Sequence, residues 1–159
     1  MFRNVFKKTY AKIEPGNEKL DIPEGLWRKC KICKEPIFAE DVKANYYTCP
    51  KCGGYFRVHA YRRIEMLVDD GSFIEWNKTM PVSNPLDFPN YELKLEEERV
   101  KTKLNEAVVT GEATVGNVRI AIAVCDARFM MSSMGHVVGD KITAGVEKAR
   151  TEKNTVIIL

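Results

Sequence analysis

Four of the five cysteines fall into two matched pairs, Cys30-Lys31-Ile32-Cys33 and Cys49-Pro50-Lys51-Cys52, with 15 residues between them. Each pair can close a tight knuckle that aims two thiolates at one point. Two knuckles complete a tetrahedral cage for Zn²⁺, with bonds of about 2.3 Å to sulfur. The spacing is that of a zinc module. Four thiolates leave no coordination position for water, so the expected ion is a single structural one. Lys29, Lys31, Lys34 and Lys51 crowd the pairs and offset the negative charge of such a site. Two disulfides would need an oxidising compartment. The start, Met1 to Lys8, is basic with two aromatics and no long apolar stretch behind it, which predicts no secretory signal and a reducing, cytoplasmic setting. His59 could compete as a ligand, but four cysteines already fill the cage, and a helix-start role is expected. Cys125 follows an apolar run and reads as a buried, unreactive thiol.

The remaining chemistry is sparse. The chain has two histidines, and neither sits in a nucleophile arrangement; G-x-S-x-G, the P-loop and H-E-x-x-H are all missing. Any catalysis must use backbone groups or a cofactor. The stretch Phe129 to Asp140 suits that task, with Ser132, Ser133, Met134 and Gly135 as the candidate substrate loop. Small residues between a strand and a helix leave N–H groups that can accept an oxyanion or phosphate. A packed turn with methionines as filler is the competing reading.

Those residues need elements to hold them. Tyr61, Ile64, Leu67 and Val68 share a helical face that ends at Gly71. Residues 72–90 are rich in turn formers and predict a long loop. Residues 91–104 predict a charged helix with a Glu97–Lys101 pair. Residues 107–115 and 118–125 alternate as strands around the hairpin signal Gly116-Asn117. A helix over 137–150 follows, then a β-branched run, Thr155 to Leu159, typical of a strand buried on both faces. Strand, helix and strand in this order predict a parallel crossover. The apolar run at Leu159 suggests a longer parent protein.

The chain's 45% apolar and 30% charged residues are those of a globular protein. No run of 18 apolar residues occurs, which predicts no membrane span. Net charge is +3 and unevenly spread: residues 1–63 carry 14 Lys/Arg against 7 Asp/Glu. A basic front can meet nucleic acid, a phosphate-bearing ligand or an acidic partner, or be a solvated surface. Trp27, Tyr46, Tyr47, Tyr55 and Phe56 among lysines would suit single-stranded nucleic acid.

Several blocks together resemble one family. They are Trp27–Cys33, Tyr47–Gly53, Arg57–Ile64, Leu67–Phe73, Asn84–Phe88, Glu106–Gly111 and Phe129–Thr143. In this order they are similar to the β subunit of bacterial acetyl-CoA carboxylase carboxyltransferase. The resemblance implies a small all-β zinc ribbon followed by an incomplete α/β domain of the crotonase-like type, stacked β-β-α units. The implied organisation is an N-terminal arm over 1–26, the ribbon over 27–57, connecting helices and loop over 58–105, and the carboxyltransferase domain from 106 to 159. It also implies a carboxyltransferase α subunit as partner (α2β2), with biotin carboxylase. Carboxybiotin on a separate biotin carrier protein would supply the carboxyl group to acetyl-CoA, giving malonyl-CoA for fatty-acid synthesis. The biotin ureido group can take the acetyl proton itself, which suits the empty inventory of side-chain catalysts. The family's S-G-G-A-R motif, with its oxyanion-hole glycines, would lie beyond Leu159, so these 159 residues are expected to be inactive alone. The family's loop usually reads F-M-x-G-S-M-G, and Ser132 stands at its glycine. If that position has φ > 0, serine costs on the order of 1 kcal/mol there.

Overall fold

Two cores form because two kinds of sequence drive them: short, polar, cysteine-bearing turns at the front and alternating apolar strands behind. The computed structural model describes residues 25–82 and 84–159. Most of the expected arm over residues 1–26 lies outside the described residues.

The front module starts with strand β1 (Trp27–Lys29), paired antiparallel with β2 (Pro36–Phe38). Trp27 meets Phe38 edge-on across that ladder, with ring centroids 5.6 Å apart. Helix α1 (Ala39–Ala44) follows directly, with Glu40 and Asp41 at the positive end of its dipole. The ribbon expected from the sequence is present and carries this short helix beside its two strands. Ala39 and Val42 present a buried helical face to a core of Cys30, Ile37, Tyr47 and Cys49. A six-residue helix carries too weak a periodicity to stand out in sequence.

Helix α2 (Ala60–Leu67) joins the two parts, with His59 at its N-cap position as expected. Its Ala60 and Ile64 enter the larger core, while Met66 packs on the ribbon core. The expected loop over 72–90 contains a short strand, β3 (Ile74–Trp76). Flanking turn formers masked it, and the pairing that creates it is long-range. Helix α3 (Tyr91–Thr102) buries Leu95 and Thr102. Lys101 pairs with Glu98 at 3.3 Å rather than with Glu97, because the i,i+3 partner lies closer to its Nζ.

Strands β4 (Val108–Val115) and β5 (Val118–Cys125) form an unbroken antiparallel hairpin, from Val108 opposite Cys125 to Val115 opposite Val118. Helix α4 (His136–Glu152) then returns the chain to strand β6 (Thr155–Ile158), parallel to β5. The sheet order is β3-β4-β5-β6. The predicted crossover is present, but β6 is an edge strand rather than one buried on both faces, with Ile158 51% exposed. Its composition fits burial, yet only β5 flanks it among the described residues. Gly111 lets β3 and β4 approach: a Cβ there would strike the Ile74 carbonyl oxygen and the Phe73 ring.

Candidate metal centre and substrate loop

The two knuckles have the same backbone. In the first, the Cys30 N–H donates to Glu35 O (2.9 Å) and the Cys30 carbonyl accepts from Lys34 N (3.1 Å). In the second, the Cys49 N–H donates to Gly54 O (2.7 Å) and its carbonyl accepts from Gly53 N (2.9 Å). Both close on a left-handed residue, Lys34 at φ 63° and Gly53 at φ 72°. At Gly54 a Cβ would lie 2.8 Å from Cδ1 of the exposed Ile32 side chain and 3.3 Å from the Cys52 Sγ, so the knuckle packs closely there.

All four predicted sulfurs converge, each Sγ within 4.8 Å of the others. Across the knuckles, Cys30 and Cys52 are 3.6 Å apart and Cys33 and Cys49 are 3.9 Å apart. A regular ZnS₄ tetrahedron with bonds of about 2.3 Å has edges of about 3.8 Å. The donor set and its spacing fit a tetrahedral zinc site.

The thiols differ in how readily they ionise. Backbone N–H groups of Cys33 and Ile32 draw the Cys30 thiol down to about 6. The Glu35 N–H also pulls on Cys33, but desolvation and the neighbouring thiols outweigh it and drive that group up to about 11. Four thiolates can coexist here only around a divalent ion. Lys51 reaches over the site to Glu35 at 3.0 Å.

The predicted substrate loop starts in a left-handed turn. Met130, Met131 and Ser132 have φ of 42°, 55° and 59°. The turn is tied by Ser132 N to Phe129 O (2.9 Å) and Ser133 N to Met130 O (3.2 Å). Ser132 therefore sits in the conformation that favours glycine. Gly135 is the N-cap of α4, and no side chain caps the helix. Of the four candidate residues, only Ser132 lines the cleft between ribbon and sheet; Ser133 and Met134 are exposed outside it.

Three groups that the sequence did not single out hold this arrangement. The Asp126 carboxylate, only 1% exposed, accepts from Ala60 N at the start of α2 (2.9 Å) and from Arg128 N, Nε and Nη2 (3.0, 3.0 and 2.7 Å). Burial opposes its ionisation, but the Arg128 side chain and the Ala60 and Arg128 N–H groups prevail and hold it at about 2. Asp69 receives the Thr114 hydroxyl (2.6 Å) and the N–H groups of Gly116 and Asn117, fixing the hairpin turn. Its carboxyl is lowered by these bonds, the Thr114 bond first. Lys141, 2% exposed, donates to Val108 O at 2.9 Å and fastens α4 to β4, and burial lowers its pKa. In sequence each is one polar residue among many, because the contact that ties it to another element lies 33 or more positions away.

Residues 27–52 match the acetyl-CoA carboxylase zinc finger domain. The chain is 42% identical over 158 residues to the acetyl-coenzyme A carboxylase carboxyl transferase subunit beta of Carboxydothermus hydrogenoformans, an alignment covering 99% of this chain and 56% of that one. The chain is related to these carboxyl transferase β subunits. It spans about half the length of this curated relative. The four cysteines thus form the zinc site of a zinc ribbon. Among solved structures, a single-chain, multi-domain long-chain acyl-CoA carboxylase is similar with a TM-score of 0.53 and 22% identity, over 65% of this chain and 11% of that one. The transcarboxylase 12S core is similar with a TM-score of 0.51 and 21% identity, over 64% of this chain and 18% of its own. These likenesses show that the α/β part shares its fold with the matched regions of those two enzymes.

Proposed function

We propose that this chain serves in the β subunit of an acetyl-CoA carboxylase carboxyltransferase, moving a carboxyl group from carboxybiotin to acetyl-CoA to give malonyl-CoA. The identity to a named β subunit along 99% of the chain carries the reading. The site chemistry is compatible with it. No described cluster joins a nucleophile to a base, and the reaction needs chiefly donors for developing oxyanions. The free N–H groups at the start of α4, behind Gly135, are of that kind. The zinc takes no part in the reaction, since all four of its positions are filled; it holds the ribbon against α2.

The partners belong to the same proposal: a carboxyltransferase α subunit in an α2β2 assembly, the biotin carrier and biotin carboxylase, in the cytoplasm. No helix among the described residues is long and apolar enough to cross a membrane. The domain limits at residues 27–57, 58–105 and 106–159 also remain a proposal, with α2 belonging to both cores.

The test is reconstitution. The β subunit, combined with α subunit and carboxylated biotin carrier, should convert acetyl-CoA into malonyl-CoA, measured by chromatography. No product from an assembled, zinc-loaded complex would overturn the reading. A second reading, nucleic-acid binding by the ribbon, is favoured by exposed aromatics beside basic residues, with Tyr46 72% and Tyr55 86% exposed. It predicts an affinity for single strands that falls steeply with salt and disappears when residues 27–57 are removed.

A further inference from the structure

The block Asn84-Pro85-Leu86-Asp87-Phe88 has no task in the zinc site or in the substrate loop. Its backbone is nevertheless closely organised. The Asn84 Oδ1 accepts the Phe88 N–H (2.9 Å), and the Asn84 Nδ2 donates to the Phe88 carbonyl (3.1 Å). The Asp87 N–H donates to Asn84 O (3.1 Å), and the Tyr91 N–H to Phe88 O (3.3 Å). Asp87 and Asn90 both take left-handed backbones, at φ 46° and 60°, a conformation these two residue types tolerate. The turn does not exist to bury its own apolar side chains, since Leu86 is 86% and Phe88 63% exposed. What it fixes is the first residue of α3, Tyr91.

Tyr91 is half-buried and packs against the sheet core. Its hydroxyl end reaches the start of another helix, α4. A Cβ on Gly135 would lie 3.3 Å from the Tyr91 Oη. Among the described residues, no other atom outside the chain neighbours comes within 4 Å of that point. The Gly135 backbone, at φ −83°, is open to any residue, so its turn geometry gives no reason for a glycine. Close approach of the tyrosine does. Ser133 and Met134, just before it, are exposed. The first helical bond of α4 runs from Gly139 N to Gly135 O (3.1 Å). The N–H groups of His136, Val137 and Val138 therefore have no intrahelical partner, and the seat of Gly135 sets their direction.

We propose that Tyr91 is a positioning residue for carboxyl transfer: its hydroxyl is the stop on which Gly135 seats, and this contact aims the free N–H groups of α4. The Asn84 turn holds Tyr91 in register for that task. The inference rests on the carboxyl-transfer reading, in which those groups meet a developing oxyanion. Such donors act on charge that appears in the transition state. A misdirected set lowers kcat and leaves the KM for acetyl-CoA largely unchanged.

The experiment is a double-mutant cycle in the whole β subunit, assembled with the α subunit and carboxylated biotin carrier. Malonyl-CoA formation is measured per assembled, zinc-loaded complex, and circular dichroism and thermal melting monitor the fold. Tyr91→Phe removes the stop and should lower kcat about tenfold, the effect of a displacement well under 1 Å. Gly135→Ala presses a methyl group against the hydroxyl and should lower kcat by about tenfold or more. In the double variant the methyl group fills the space that the hydroxyl leaves, so kcat should recover to at least the level of Tyr91→Phe. Asn84→Ala should lower kcat in the same direction as Tyr91→Phe. Lys101→Ala, on the exposed side of α3, should change nothing. A purely structural tyrosine would instead shift the melting temperature and leave kcat per folded complex unchanged. That result, or effects of Tyr91→Phe and Gly135→Ala that simply multiply, overturns the inference while the carboxyl-transfer reading stands. No product from the wild-type complex overturns both.

Discussion

At Ser132, backbone geometry and side-chain identity conflict. With φ at 59°, its Cβ bears the left-handed penalty that glycine escapes. Ser132→Gly should stabilise the chain by roughly 0.5–1 kcal/mol, the relief of that penalty less the extra chain entropy of glycine. Denaturant unfolding measures it, and a loss of stability would mean that the serine hydroxyl makes a compensating bond. Asp126 provides the opposite case, a buried charge with every lone pair in use. Its folded pKa of about 2 lies below the ordinary carboxylate value, so its contribution is present above about pH 4 and lost as pH falls toward 2. Asp126→Ala should cost about 3 kcal/mol, because Arg128 and the Ala60 N–H lose their partner together. It should also flatten the acid limb of the stability profile below pH 4, as read by fluorescence.

Among the elements, the central hairpin is the most sensitive to substitution. Gly111 lies in β4 opposite Glu75 of β3, with the Phe73 ring over its Cα. Gly111→Ala would force β3 off the sheet, an overpacking cost of about 3 kcal/mol, and thermal melting should detect it. This also explains why some elements were readable in the sequence and others were not. β4, β5 and α4 declare themselves because their periodicity is local and long enough to register. The cysteine knuckles do so because a metal demands a fixed spacing. β3 and α1 were hidden: three residues and six residues hold their shape through Gly111 and through the buried faces of Ala39 and Val42, not through propensity. β6 was legible as a strand, but its burial was not, since burial depends on neighbours rather than on composition. Within the site, the zinc ligands were legible as a set. The Asp126–Arg128–Ala60 junction was not, because its two ends are 66 positions apart.

For the whole molecule, α2 decides how the parts communicate. Eight residues serve two cores: Ile64 is buried with the sheet residues, and Met66 packs against the ribbon core. A module the size of the ribbon has too little apolar surface to fold unaided, so the bound zinc supplies its folding energy. The sheet core has its own closed set of apolar contacts, from Val108 and Val124 to Phe129 and Val138. Removing the metal should therefore unfold one part and spare the other. After treatment with a strong chelator, hydrogen exchange should accelerate at the amides of Cys30, Cys49 and Phe56, whose bonds close the knuckles and the ribbon hairpin. Amides of Val109 and Val124, inside the β4–β5 ladder, should keep their protection. Cys49→Ser should reproduce the chelated pattern without chelator. Uniform loss of protection would show a single cooperative unit, in which α2 transmits ribbon unfolding to the sheet. Unchanged protection with the zinc fully removed would show that the ribbon core folds without its ion.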